Sequence, residues 1–207
     1  AVPMSTRRSR LASCALYGRV AAIGGVIGQT SLNSVEILDP TLGTWAPLQP
    51  MGMPRSRFAA AELDGSVFVI GGCVGNDVLA SAVAFDPTTG VWRHLPPMAQ
   101  PRSGLAAVAI DGRIYAIGGH DGTTALDSVE VFDPNRCIWR YAEPMLTGRH
   151  RHAAVTLDSK VYALGGCNAD DLVLASVEVF DPARGHWREM PAMSTPRDRL
   201  AAVAAGW

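Results

Sequence analysis

Apolar and polar positions along the chain form short runs in a repeating order. In one representative stretch, the four runs span residues 104–110, 113–119, 127–134 and 137–145, with a polar loop at 120–126. Asp111-Gly112, between the first two runs, is a hairpin turn signal, and Pro134 ends the third run. Runs of this length without a 3.6-residue periodicity predict four antiparallel β-strands.

The same unit recurs along the chain with a period of 47 residues. Paired glycines stand at Gly24-Gly25, Gly71-Gly72, Gly118-Gly119 and Gly165-Gly166, each pair 47 residues after the last. A tryptophan follows each pair, at Trp45, Trp92, Trp139 and Trp187. One extra residue between Gly166 and Asp181 is a loop insertion. The period predicts units near 5–51, 52–98, 99–145 and 146–193, with a partial strand at 199–207.

A four-stranded sheet that repeats with a Gly-Gly pair and a tryptophan per unit is the pattern of β-propeller blades. The motif "DSVEVFDP…W…PM…PR" resembles the Kelch repeat over essentially the whole chain, and most of all the propellers of BTB–Kelch adaptor proteins. The resemblance implies an all-β Kelch propeller with four complete blades and partial flanking blades, as a segment of a six-bladed ring. A genuine four-bladed ring is the alternative.

The glycines and tryptophans of each unit are expected to build the fold. Near a propeller axis the blades crowd together, and only a residue without Cβ lets backbones approach closely. The tryptophans are expected to pack between blades and to bury much of their surface. Neither set is assigned any chemistry.

Composition excludes several classes of partner. The formal charge of −1 implies no pull toward nucleic acid or a membrane, and no apolar run approaches the 18 residues of a membrane span. Four cysteines without a CxxC pair predict reduced thiols, and hence an intracellular protein of the cytoplasm or cytoskeleton. No phosphate loop, HExxH or GxSxG motif is present, so the chain is predicted to be no enzyme and to need no cofactor.

Arginines concentrate in the segments that join the fourth strand of one unit to the first strand of the next, here called the 4→1 segments. In an antiparallel blade these segments share a face with the loops between the second and third strands, the 2→3 loops. Ten of the seventeen arginines lie in 4→1 segments, at positions 7, 8, 10, 55, 57, 102, 149, 151, 197 and 199. The turns of the other face carry aspartates, so we expect this arginine-rich face to attract an acidic partner.

Two arginine positions recur in the 4→1 segments. The first is invariant, at Arg8, Arg55, Arg102, Arg149 and Arg197, which favours a structural role. The second varies with the blade, as a contact position does: Arg10, Arg57, Gly104, Arg151 and Arg199. We call Arg10, Arg57, Arg151 and Arg199 the rim arginines, and we expect their side chains to point into the mouth of the propeller.

The resemblance adds further candidate contacts on this face. In BTB–Kelch propellers, the positions that match Arg57 and Ser103 lie on the face that grips substrate peptides. The full set of predicted partner-binding residues is Ser9, Arg10, Ser56, Arg57, Ser103, His120, His150, Arg151 and Arg199. The 2→3 loops depart from the family because they carry aspartates and no arginine, which makes the partner of any relative a poor guide.

Together these features predict a protein-interaction module that binds an acidic or polar loop of a protein partner. The resemblance implies substrate capture for a Cullin–RING ubiquitin ligase, through a domain outside this chain. The alternative is a structural scaffold in a cytoskeletal or other large assembly. A third possibility, the Kelch copper-radical oxidases, needs tyrosine and histidine ligands, whereas Tyr115 and Tyr162 occupy equivalent packing positions.

The residues that follow Gly-Gly are Val26, Cys73, His120 and Cys167, and these residue types raise two further kinds of chemistry. Equivalent points on packed sheets lie about 10 Å apart, whereas zinc takes ligands at about 2.0–2.3 Å. The sequence therefore predicts no metal site. Arginines near Cys73 or Cys167 would lower the thiol pKa, which leaves an electrophile sensor as an alternative.

Overall fold

The computed structural model describes residues 2–205 and contains four four-stranded antiparallel sheets, here called blades 1 to 4. Within the described residues every regular element is a strand, and no helix suited to crossing a membrane is found. In blade 1 and its 2→3 loop the strands are β1 (Ala12–Leu16), β2 (Arg19–Ile23), β3 (Val26–Ile27), β4 (Thr30–Ser31), β5 (Val35–Asp39) and β6 (Thr44–Leu48). In blade 2 and its loop they are β7 (Ala59–Leu63), β8 (Ser66–Ile70), β9 (Cys73–Val74), β10 (Asp77–Val78), β11 (Ala82–Asp86) and β12 (Val91–Leu95). Blade 3 contains β13 (Ala106–Ile110), β14 (Arg113–Ile117), β15 (Val129–Asp133) and β16 (Ile138–Ala142). Blade 4 contains β17 (Ala153–Leu157), β18 (Lys160–Leu164), β19 (Val177–Asp181) and β20 (His186–Met190).

Each blade is a meander in which strands pair in chain order, and each lies inside one of the four expected units. The predicted hairpin of blade 3 joins β13 to β14, with Ile110 opposite Arg113. Its two turn residues, Asp111 and Gly112, have φ of 51° and 67°. Positive φ at both central residues is what a tight hairpin turn requires.

The strands differ from the sequence prediction at their ends. The run predicted at 113–119 forms a strand only to Ile117, because Gly118 and Gly119 turn away with φ of 58° and 99°. The 2→3 loops of blades 1 and 2 contain the two-residue ribbons β3–β4 and β9–β10, which the sequence did not predict.

The blades pack side by side with their first strands in contact. Strand β1 touches β7, β7 touches β13, and β13 touches β17. Apolar clusters fill the space between neighbouring blades, as where Leu16 and Ile23 of blade 1 meet Val67 and Phe85 of blade 2. Each first strand therefore lies on the inner side of its blade, as expected for blades arranged in a propeller.

Close packing between blades explains the paired glycines. A Cβ built on Gly71 would lie 2.4 Å from the carbonyl oxygen of Arg102, in the next 4→1 segment. A Cβ on Gly72 would lie 2.6 Å from the carbonyl oxygen of Ser56, in the segment of the same blade. The Gly72 amide also donates to the Arg102 carbonyl oxygen at 2.7 Å. A larger residue at Gly71 or Gly72 would push the Gly-Gly pair away from these 4→1 segments and disrupt contacts such as this hydrogen bond.

The tryptophans link each blade to the chain that precedes it. The indole Nε1 atoms of Trp92, Trp139 and Trp187 donate to the carbonyl oxygens that follow the preceding blade's outer strand, at 2.8, 2.9 and 3.0 Å. Each of these rings also packs on a phenylalanine of its own blade. Only Trp187 is fully buried, whereas the other three in the repeat, including Trp45, are half-buried.

The last stretch of the chain does not follow the prediction. Residues 201–205 have no regular structure, although a partial strand was predicted at 199–207. A strand forms when its backbone groups pair with a neighbour, and no second strand of a further blade lies beside these residues in the described chain. Residues 206 and 207 lie outside the described residues.

Candidate functional site

The 4→1 segments and 2→3 loops meet on one face, as the sequence predicted. Four isolated antiparallel bridges join them: Ser9 with Val26, Ser56 with Cys73, Ser103 with His120, and His150 with Cys167. Each bridge pairs the residue after an invariant arginine with the residue after a Gly-Gly pair. The connections of each blade are thereby fixed to one another on the arginine-rich face.

Four of the five invariant arginines have buried side chains and hold their 4→1 segments in place, whereas Arg197 is exposed. We call Arg8, Arg55, Arg102 and Arg149 the inner arginines. Arg102 is completely buried and donates to the carbonyl oxygens of Gly118 and Ser128 at 2.9 and 2.8 Å. It also forms an ion pair with the buried Glu130 at 3.0 Å. Such a network anchors a loop and leaves no group free for a partner, which agrees with the expected structural role.

Blade 2 lacks one part of this network. Glu36, Glu130 and Glu178 pair with the inner arginines of blades 1, 3 and 4, whereas Val83 stands at the equivalent position in blade 2. Arg55 is 1% exposed and still donates to the carbonyl oxygen of Gly71, yet no carboxylate pairs with it in the described part of the chain. Burial lowers the pKa of Arg55 to about 10. The guanidinium therefore stays charged at neutral pH without a counter-ion.

The rim arginines occupy a left-handed backbone position. Arg10, Arg57, Arg151 and Arg199 have φ of 55°, 53°, 55° and 51°, and Gly104 has 62° at the same place in its blade. Their backbones are joined across blades: the Arg57 amide donates to Arg10, Gly104 to Arg57, Arg151 to Gly104, and Arg199 to Arg151, at 2.6–3.1 Å. This conformation costs free energy for residues other than glycine, and the chain of hydrogen bonds holds it in place.

The four rim arginines line one cavity. The open cavity has a volume of about 210 Å³. Its lining residues are Arg10, Leu11, Arg57, Gly104, Leu105, Arg151, His152, Arg199 and Leu200. Arg151 and Arg199 lie 3.7 and 3.6 Å from aspartates, whereas Arg10 and Arg57 form no ion pair among the described residues. Four arginines that line one cavity create a positive potential there.

Apart from Ser9, the other predicted contact residues are buried or half-buried. Ser56 and Ser103 are buried, with Ser103 donating to the carbonyl oxygen of His120 at 3.3 Å. Ser56 lines a neighbouring cavity of about 450 Å³ together with Arg10 and Arg57. Ser9 is exposed, His120 is half-buried, and His150 is only 6% exposed. Of the predicted set, the structure brings only the four rim arginines together around the central cavity.

His152 also lines the cavity, although it is not among the predicted partner-binding residues. It stands where Leu11, Phe58 and Leu105 stand in the other units, a repeated apolar position that could have shown it to be buried. Neither ring nitrogen of His152 has a hydrogen-bond partner. Burial, with Arg149 nearby, lowers the pKa of its imidazole to about 3. The ring is therefore neutral at physiological pH.

Cys167, one of the two cysteines of the electrophile-sensor alternative, does not fit that role. Burial and the nearby Asp198 raise the pKa of Cys167, although Arg151 acts in the opposite direction. Burial also raises the pKa of Cys14, to about 12. A protonated thiol is a poor nucleophile, so the expected lowering by nearby arginines is wrong for Cys167.

Comparisons with known proteins identify the family. The sequence profile described as the KLHDC2/KLHL20/DRC7 Kelch-repeats domain matches residues 53–206, and the Kelch motif profile matches residues 7–52. The chain belongs to the Kelch-repeat family. Kelch repeats generally mediate protein–protein interaction, and the family is generally a non-enzymatic interaction module.

A solved structure extends the Kelch comparison to the fold. The protein titled "Structure of YjhT" has a TM-score of 0.81 and 18% sequence identity, over 94% of this chain and 68% of that chain. At this identity the likeness shows the propeller fold alone. A search of curated proteins finds no match.

Proposed function

We propose that this Kelch protein binds an acidic or polar loop of a protein partner at the cavity formed by the rim arginines. The observation that supports the proposal is the convergence of Arg10, Arg57, Arg151 and Arg199 on one open cavity. A guanidinium group presents a planar fork of N–H donors that matches a carboxylate in bidentate fashion. Several such forks around one mouth favour a loop rich in aspartate or glutamate.

The backbone of the rim supports the same proposal. Each rim residue is held in its left-handed conformation by hydrogen bonds to the neighbouring blades. A partner that meets a fixed backbone has to order only side chains, which lowers the entropic cost of binding. Ser56, Ser103 and His150 are too buried to lead this contact, so we assign recognition to the rim arginines.

In the cell, we propose a role as a substrate adaptor for a Cullin–RING ubiquitin ligase, with the ligase-binding domain outside this chain. The supports are the resemblance to BTB–Kelch propellers and the family's general role in binding proteins. All four cysteines are free, which fits the intracellular location that we also propose. A scaffold in a cytoskeletal assembly is the competing function.

Cross-linking of the full-length protein in cell lysate tests both parts of this proposal. Wild type is compared with Arg57→Ala/Arg151→Ala and with a matched control, Arg19→Ala/Arg113→Ala, which removes two exposed arginines from the opposite face. We expect Cullin peptides in all three samples, and substrate peptides in wild type and the control alone. Filament proteins in place of Cullin peptides would favour the scaffold, and equal substrate capture by all three proteins would contradict the rim site.

A further inference from the structure

A histidine, a cysteine and an aspartate meet beside the rim in blade 4. His150 comes from the 4→1 segment, Cys167 follows Gly166, and Asp171 lies four residues further along the 2→3 loop. One potential ligand atom from each residue lies within 4.8 Å of the other two. We propose that His150, Cys167 and Asp171 form a zinc-binding site.

The backbone fixes two of these three residues against each other. The amide of His150 donates to the carbonyl oxygen of Cys167 at 3.0 Å, and the amide of Cys167 donates back at 2.8 Å. This bridge lies within one blade. The prediction of no metal site rested on the distance between equivalent points of neighbouring blades, which lie too far apart to share a metal. The present ligands come instead from the 4→1 segment and the 2→3 loop of the same blade.

The imidazole of His150 has a nitrogen that is free to bind a ligand. The residue is 6% exposed, and its Nε2 atom has no hydrogen-bond partner. This atom lies 3.4 Å from Oδ1 of Asp171, so it points into the cluster. Buried polar atoms in native proteins nearly always have a partner. A metal ion would supply the partner that this nitrogen lacks.

The three side chains form a ligand set that suits zinc. Imidazole nitrogen, thiolate sulfur and carboxylate oxygen are the usual zinc ligands, whereas magnesium and calcium prefer oxygen alone. Cys167 is 2% exposed and its thiol pKa is raised. A metal that binds this residue must therefore displace the thiol proton, as zinc does in other thiolate sites.

Small movements of the three side chains would close the site. Zinc ligands at 2.0–2.3 Å in a tetrahedron lie about 3.3–3.8 Å from one another, so the present spacing has to shrink by about 1 Å. The side chain of Asp171 is 78% exposed and can move. It must also leave Arg151, whose Nη1 atom lies 3.7 Å from the same Oδ1. Metal binding and this ion pair therefore compete for one carboxylate.

A fourth protein ligand is not supplied by the nearest histidine. The His120 ring lies 5.2 Å from the His150 ring, measured between centroids. Its Nδ1 atom accepts a hydrogen bond from the amide of Gly122 at 3.0 Å. The neutral ring therefore carries its proton on Nε2 and has no free lone pair for the metal. Three protein ligands leave one position for water or for a donor atom of a bound partner.

Titration of Co²⁺ into reduced, untagged protein tests the proposal, because cobalt reports thiolate binding through its absorption spectrum. We expect one equivalent to give a thiolate-to-cobalt charge-transfer band and tetrahedral d–d bands, and Zn²⁺ to abolish both. Cys167→Ser should remove the charge-transfer band. Asp171→Asn, a change at an exposed residue whose φ of 55° asparagine tolerates, should weaken cobalt binding at least about tenfold.

Cys73→Ser is the matched control for the cysteine. Cys73 also follows a Gly-Gly pair and is 4% exposed, but it faces Ser56 in place of a histidine, with 3.5 Å between Oγ and Sγ. This variant should keep the full cobalt spectrum. The proposal is overturned if wild type shows no charge-transfer band, if the band survives Cys167→Ser, or if Cys73→Ser removes it.

Discussion

In blades 1, 2 and 4, the two arginines that lie two residues apart in the 4→1 segment occupy different environments. Arg102 and Arg149, of the inner set, are completely buried and paired with glutamates. Arg57, at the rim, is exposed and forms no ion pair among the described residues. The inner position is arginine in every unit, whereas the rim position becomes glycine in blade 3. Repetition thus marks the arginines that hold the blades, and variation marks those free to contact a partner.

The largest expected effect follows from breaking an inner ion pair. Arg102→Met leaves Glu130 buried without its cation, and we expect the free energy of unfolding to fall by about 3–5 kcal/mol. Urea denaturation followed by tryptophan fluorescence measures this change. The double variant Arg102→Met/Glu130→Met is the control, because it leaves no buried charge unpaired and should recover part of the loss. A loss below about 1 kcal/mol for Arg102→Met would place it among ordinary surface changes and contradict the structural role.

A smaller loss is expected for the inner arginine of blade 2. Arg55→Met leaves no carboxylate without a partner, because Val83 stands in the place of the glutamate. It leaves carbonyl oxygens such as that of Gly71 without their donor, for which we expect a loss of about 1–3 kcal/mol in the free energy of unfolding. The same urea denaturation compares it directly with Arg102→Met. An equal or larger loss for Arg55→Met would show that the ion pair is not what distinguishes the blades.

The buried imidazole beside the rim predicts a pH-dependent change. The folded pKa of His152 is about 3, below the ordinary value of 6.5. As the pH falls from 6.5 toward 3, the unfolded chain binds a proton that the folded chain does not, so stability falls by about 1.4 kcal/mol per pH unit. His152→Leu, which copies Leu105 of blade 3, removes this dependence.

Denaturation of wild type and His152→Leu at several pH values checks the effect. The variant should gain about 2 kcal/mol relative to wild type between pH 7 and pH 5, from the 1.5 pH units below the ordinary pKa. His186→Leu, at an exposed histidine, is the control variant. A difference between wild type and His152→Leu that stays constant over this range would contradict the burial of a neutral ring.

The smallest effect on stability is expected at the rim. Arg57→Gly places in blade 2 the residue that blade 3 carries naturally, and glycine accepts the φ of 53° without strain. We expect the free energy of unfolding to change by no more than about 0.5 kcal/mol, as at other exposed sites. Urea denaturation again measures it. A loss of several kcal/mol would assign the Arg57 side chain to the structural set and remove the contrast between the two positions.

The sequence was sufficient for the repeated features of the molecule. The period of the Gly-Gly pairs and tryptophans predicted four antiparallel blades, and antiparallel geometry placed the 4→1 segments and 2→3 loops on one face. These features follow from local patterns that each unit repeats. The left-handed backbone of Arg57 did not follow, because it depends on hydrogen bonds between blades that no single unit contains.

Features of single blades were harder to predict. The burial of Ser56 and Ser103 depends on how each segment bridges its 2→3 loop. The cluster of His150, Cys167 and Asp171 joins residues of one blade that are 21 positions apart at most. Their approach comes from one backbone bridge and from the loop with the extra residue. A comparison of repeats position by position could not reveal a contact between two different positions of the same repeat.

The central claim is that the rim arginines recognise carboxylates. Its most direct test is the fluorescence anisotropy of a labelled peptide of alternating glutamate and glycine, titrated with wild type, Arg57→Ala/Arg151→Ala and Arg19→Ala/Arg113→Ala. We predict that wild type and the opposite-face variant bind this peptide equally, that the rim variant binds it at least about tenfold more weakly, and that a glutamine peptide binds none of them. Equal binding by all three proteins, or equal binding of the two peptides by wild type, would contradict the claim.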